Sequence, residues 1–268
     1  MNTSSAVEPG GYTPPFTSGM VIGSIYDLFW LLGCVAVAFV AVWLCFWLFN
    51  RLPATWYCDY REKPSPELYG TRLYFRPVGV AASLLMGLYF ILLYYQYGGS
   101  VYFYLNILSG LGLMMITLAD YQYSIIPDQF TLFFLVVAAF TAWYDFANGQ
   151  LYGNTWWSPI AGGLAGAGAM LCIGVVGSLI YKKTGVGFGD VKLFLALGVL
   201  AGWPQVLVVF FFSLCLACVH FVIMLLMKKV KGDVYFPMGP YICIAMMGYL
   251  AFRSQIQQGL DWYVSLIV

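Results

Sequence analysis

LFWLLGCVAVAFVAVWLCFWLF, residues Leu28–Phe49, runs for about six helical turns without a charged residue. A hydrocarbon layer about 30 Å thick needs about 20 such residues as helix. Lipid offers the backbone amides no water, so the run has to close its own hydrogen bonds as a helix. Seven further candidates follow along the chain: about Val78–Gln96, Val101–Ala119, Phe130–Tyr144, Trp157–Tyr181, Val191–Gly202, Val206–Met227 and Met238–Phe252. Val191–Gly202 is too short to cross unless Asp190 and the glycines before it belong to its end. The expected fold is an all-α membrane protein, a polytopic bundle of eight transmembrane helices.

Composition agrees. Of 268 residues, 62% are hydrophobic and 9% charged, where soluble domains run at about 45–50% and 25%. So few charges cannot cover a 29.9 kDa globule in water. A net charge of +1 supplies no basic field for nucleic acid. Residues 1–19 hold Ser, Thr, Pro and Gly without Lys or Arg, which is not the charged start of a signal peptide. The chain divides into a disordered tail (1–19), a first transmembrane helix (20–50), a loop (51–76), a transmembrane core (77–253) and a C-terminal segment (254–268).

Basic residues set the orientation. Arg51, Arg61, Lys63, Arg72 and Arg76 follow the first span. Lys182 and Lys183 follow the fifth, Lys192 opens the sixth, and Lys228, Lys229 and Lys231 follow the seventh. With eight crossings and both termini outside, on the periplasmic side, all eleven fall in the cytoplasm and Arg253 alone falls outside. The loops 120–129 and 182–190 are then cytoplasmic.

Few residues in this chain can carry chemistry. Six of the seven Cys lie in apolar runs; Cys215 and Cys218 form a CxxC that reads as packing within a helix, and no metal site is expected. His220 is the single His, inside the seventh span. Of eleven acids, Glu8, Asp59, Glu62, Glu67, Asp145, Asp233 and Asp261 read as solvated, and Asp27 as a charge at a helix start. Asp120 ends a long uncharged run at a membrane edge. Asp128, after Pro127 and before an apolar run, suits a helix N-cap. Asp190 ends Gly185-Val-Gly-Phe-Gly-Asp190; those glycines allow positive φ and close backbone approach, and an N-cap is the plainer role for the acid. Carboxylates 120 and 190 sit on the same face of the expected bundle. Brought within hydrogen-bond reach, such a pair shares one proton, the arrangement of aspartic proteolysis.

These stretches resemble a known family. Asp120-Tyr-Gln-Tyr-Ser-Ile-Ile-Pro-Asp-Gln-Phe-Thr-Leu132 is similar to the first aspartate motif of bacterial type 4 prepilin peptidases. Gly187-Phe-Gly-Asp-Val-Lys-Leu193 resembles their GxGD motif. Pro237-Met-Gly-Pro-Tyr241 and Asn50-Arg-Leu-Pro53 resemble two further segments, in family order. The resemblance implies an aspartic protease core, in the bacterial inner membrane, that cuts the basic leader from prepilins and pseudopilins at the cytoplasmic face. Those substrates would enter laterally from the lipid bilayer. It implies Asp120 and Asp190 as the catalytic pair, with Gly187, Gly189, Lys192, Pro127, Asp128, Pro237, Gly239 and Pro240 as substrate or structural support. Proteolysis needs no cofactor. Many members also methylate the new N-terminus with S-adenosylmethionine, and many carry a larger loop with paired CxxC zinc sites. Residues 51–76 hold only Cys58, so this form lacks the tetracysteine zinc domain, and the methyltransferase activity stays open. Two other readings are a presenilin- or signal-peptide-peptidase-like protease and a proton-coupled transporter. The first lacks its Pro-Ala-Leu segment here, and the second lacks mid-membrane acids and inverted repeats. A purely structural membrane subunit is a further alternative.

Overall fold

A computed structural model of the chain describes residues 25–58, 64, 72–148, 152, 155–181, 187–227 and 237–267. The tail, residue 185 and the Lys182–Lys183 and Lys228–Lys231 clusters lie outside the described residues. Regular structure among the described residues is helical: α1 (Ile25–Arg51), α2 (Val78–Tyr97), α3 (Val101–Tyr123), α4 (Asp128–Asn148), α5 (Ser158–Tyr181), α6 (Phe188–Ala201), α7 (Val206–Leu226), α8 (Gly239–Ala251) and α9 (Arg253–Ile267), with one 3-10 turn at Ala54–Trp56.

Six of these, α1 to α5 and α7, are long and apolar enough to cross a membrane. Their outward faces carry large apolar side chains such as Trp30, Val40, Leu85, Leu132, Leu164 and Phe211. A soluble monomer does not expose apolar surface on this scale, so this is a multi-pass membrane protein. The expected eight crossings differ from this count because α6 and α8 have 14 and 13 residues, about 21 and 20 Å of helix. The C-terminal segment 254–268, read without an element, is helical as α9. Cys215 and Cys218 are exposed on α7 rather than packed inside.

Helix α6 tolerates its shortness because protein surrounds it, with Leu193, Phe194, Ala196, Leu197, Leu200 and Ala201 fully buried. It lies chiefly against α5 and α4. Small residues make the α5 contact close, as expected of a helix pair in lipid. A Cβ on Gly166 would fall 2.7 Å from the Phe194 carbonyl oxygen, and one on Gly198 would fall 2.8 Å from Gly163 Cα. Gly202, at φ 80°, ends α6 by donating its N–H to the Gly198 carbonyl. Helix α3 lies against α4 and α8, so α4 is the wall shared by α3 and α6.

Candidate active site

Asp120 comes one turn before the end of α3, and Ser124, at φ 53°, stops that helix with its N–H on the Asp120 carbonyl. The stop turns Ile125–Pro127 away toward α6. Asp120 is 3% exposed, and its Oδ2 accepts the Gly239 N–H at 2.9 Å. Gly239 opens α8, where Pro240 is tolerated because first-turn amides have no helical acceptor. A Cβ at 239 would fall 2.6 Å from that same oxygen, so only glycine lets the amide approach.

Asp190 sits in the first turn of α6 and is 6% exposed. Gly187 is the N-cap, and its N–H bonds the Asp190 carboxylate while Asp190 N–H returns to the Gly187 carbonyl at 3.1 Å. The acid therefore reaches back from the third helical position, as in a capping box, and is not itself the N-cap. The expected positive φ is absent at Gly187, which sits at φ −70°. Close approach is what the motif provides: a Cβ on Gly189 would lie 3.2 Å from Ile126 Cβ.

The two aspartates, contributed by different helices, lie within each other's electrostatic reach. Cys243, fully buried on α8 and hydrogen-bonded to Thr117, feels both. A second clasp joins the two motifs. Lys192 Nζ donates to both oxygens of Asp128 at 2.9 Å and rests 5.0 Å from the Phe188 ring centre. Asp128 begins α4, so its carboxylate serves an inter-helix ion pair where capping alone was expected. With both side chains about a third exposed, the pair contributes about 0–1 kcal/mol. Pro127 ends the extended link, its carbonyl accepting the N–H groups of Phe130 and Thr131. Pro237, half-buried, leads into α8.

The start of the 51–76 loop covers the rim of this end. Asn50 holds Leu73 through both backbone groups, at 3.0 and 3.1 Å. The Tyr57 hydroxyl donates to the Phe49 carbonyl, and its ring lies 5.0 Å from that of Tyr123. Trp56 meets Phe130 edge-on at 6.3 Å. Among the described residues, no group of three or more His, Cys, Asp or Glu converges as for a metal. His220 is exposed beside the Tyr241 ring, 5.5 Å away. Asp145, read as solvated, is instead 2% exposed at the far end of α4.

Sequence reasoning missed Ile126, Thr117 and Cys243 as neighbours of the pair. A signal existed for Thr117, which precedes Asp120 by three positions on one helix and so shares its face.

Several curated proteins resemble the chain. A prepilin leader peptidase/N-methyltransferase of Aeromonas salmonicida is 30% identical over 157 residues, 58% of this chain and 50% of that protein. Proteins of the same name are 27% identical in Stutzerimonas stutzeri (54% of this chain, 48% of that protein) and 26% in Neisseria gonorrhoeae (68% and 60%). The chain thus spans about half the length of the curated relatives it matches. No solved structure matches. Residues 107–223, which contain Asp120, Ile126, Asp128, Asp190 and Lys192, match the type IV leader peptidase family.

Proposed function

We propose that this protein is a membrane aspartic endopeptidase that removes the basic leader from prepilins or pseudopilins. The observation carrying the reading is that Asp120 and Asp190, from separate helices, are buried within each other's field beside the Gly239 amide. Buried neighbouring carboxyls hold one proton between them. The ionised member takes a proton from water, and the water oxygen bonds to the scissile carbonyl carbon. The protonated member donates to the carbonyl oxygen, giving a tetrahedral diol. Collapse breaks the C–N bond, a proton passes to the departing amine, and the carboxyl pair returns to its starting charge. The family's Asp120 and Asp190 motifs, docked through Gly189–Ile126 and Lys192–Asp128, hold the pair in register.

Charge placement supports eight crossings with both termini periplasmic and this site at the cytoplasmic face of the bacterial inner membrane. The short helices α6 and α8 then cross inside the protein envelope. The leader's apolar neighbour stays in lipid and approaches laterally, consistent with the apolar perimeter. The relatives' name includes N-methyltransferase. Among the described residues a cavity of about 330 Å³ lies beside Asp145, at the opposite end of the helices that bear the aspartates. Its lining is mainly aromatic and aliphatic, and Asp145 already accepts two hydrogen bonds. It does not fit S-adenosylmethionine.

The test is to mix purified protein with a prepilin, with and without S-adenosylmethionine, and weigh the product. Leader loss is expected from the parent chain and not from Asp120→Asn or Asp190→Asn. An intact prepilin in every reaction overturns the reading.

A further inference from the structure

Charge counting left Arg253 alone on the far side of the membrane, and the structure buries it there, 8% exposed. Its guanidinium donates to the Ala201 carbonyl at 3.4 Å and lies 5.2 Å over the Tyr152 ring and 5.5 Å over Tyr249. The Tyr249 hydroxyl points to the same carbonyl at 3.5 Å. The Tyr152 hydroxyl donates to the Leu200 and Val199 carbonyls at 2.9 and 3.2 Å. The last turn of α6, whose carbonyls have no helical donor, is therefore closed by side chains from elsewhere. A cation there also matches the negative end of the helix.

The same tyrosine is tied back to α3. The Tyr152 N–H donates to Asp145 Oδ2 at 3.0 Å, and the Tyr102 hydroxyl donates to Asp145 Oδ1 at 2.7 Å. A continuous hydrogen-bonded chain thus runs from the start of α3, through α4, to the end of α6. Those two helices carry Asp120 and Asp190 at their opposite ends.

We infer that Tyr152 and Arg253, held by Asp145, are positioning residues that set α6 along its axis against α3 and so fix the separation of Asp120 and Asp190. The inference rests on the proposed catalytic role of that pair. Close-packed interiors transmit displacement, and Leu193, Phe194, Leu197 and Leu200 are all fully buried. A shift at the Tyr152 end is therefore delivered to Asp190 about 15 Å away along the helix.

The experiment uses the full chain in detergent with Tyr152→Phe, Arg253→Lys and Arg253→Gln, scaled to folded protein. On a prepilin, kcat should fall about ten- to hundredfold in Tyr152→Phe with KM nearly unchanged, and Arg253→Lys should retain more than Arg253→Gln. A second readout needs no activity. Ile126→Cys with Gly189→Cys places two Cβ atoms at close to the disulfide separation of about 3.8 Å. The rate of forming this bond with copper phenanthroline, followed by peptide mass, should drop about tenfold when Tyr152→Phe is added. Unchanged crosslinking overturns the inference, whatever happens to kcat, and so does slower crosslinking with parental kcat. If the parent chain cuts no prepilin, the proposed function fails while crosslinking still decides the positioning. Should Tyr152→Phe not fold, Arg253→Lys carries both measurements.

Discussion

At the far end of the bundle, Asp145 has a hydrogen-bond donor on each oxygen, the Tyr102 hydroxyl and the Tyr152 amide, with Arg253 in the same cluster. At the other end, Asp120 is just as deeply buried, yet it accepts the Gly239 amide and faces the charge of a second carboxylate. The two acids lie on adjacent helices, and both are cut off from bulk water. Their surroundings differ in kind. A buried acid supplied with donors and a cation ties elements together. Burying two acids within reach of each other works against the fold, and sites that keep such an arrangement are candidates for chemistry.

The contrast can be broken most decisively at the acid pair. Asp190→Asn should lower prepilin cleavage by about a thousandfold or more while the protein still accumulates in membranes, measured by product mass against folded protein. Parental activity in that variant would remove the pair from the mechanism. Next comes Gly239→Ala, whose Cβ collides with Asp120 Oδ2; about a hundredfold loss of kcat is expected from displacement of that carboxylate alone. At the far end the expected effect is on stability. Asp145→Ala strands the Tyr102 hydroxyl and the Tyr152 amide, at a cost of about 1–3 kcal/mol for each buried group left unpaired. Thermal unfolding in detergent should show this, with Asp145→Asn closer to the parent. The smallest effect belongs to Lys192→Ala, which removes an ion pair about a third exposed and should cost under about 1 kcal/mol by the same assay. A larger loss there would mean that the Asp128–Lys192 clasp matters more to the docking of the two motifs than its exposure implies.

Much of this was legible in the residues, for definable reasons. Long uncharged runs can only be helices in lipid, so α1 to α5 and α7 were readable within a few residues of their ends. Asp120 and Asp190 stood out because each sits at the end of a candidate span in a chain with few charges. Glycine at 189 was read as a site for close backbone approach; what meets it is the Ile126 side chain, which could not be named because contact between distant segments leaves no local signature. Asp145 was misread because the uncharged run before it closes at Tyr144, and nothing nearby announces that Tyr102 and Tyr152 come from other elements to meet it. Charge counting gave Arg253 a side but not its burial: it cannot see the carbonyls at the end of a short helix that this cation meets.

The brevity of α6 has one more consequence. On the proposed eight-crossing topology, a rod of about 21 Å inside a layer of about 30 Å falls short by about 9 Å, with polar groups at both tips, Asp190 at one and Tyr152 with Arg253 at the other. Between those tips the path is stoppered by Leu193, Phe194, Leu197 and Leu200, none with any accessible surface. On the proposed function and topology, water reaching the acids ends in a blind well, so the hydrolytic site can sit in an energised membrane without short-circuiting its ion gradients.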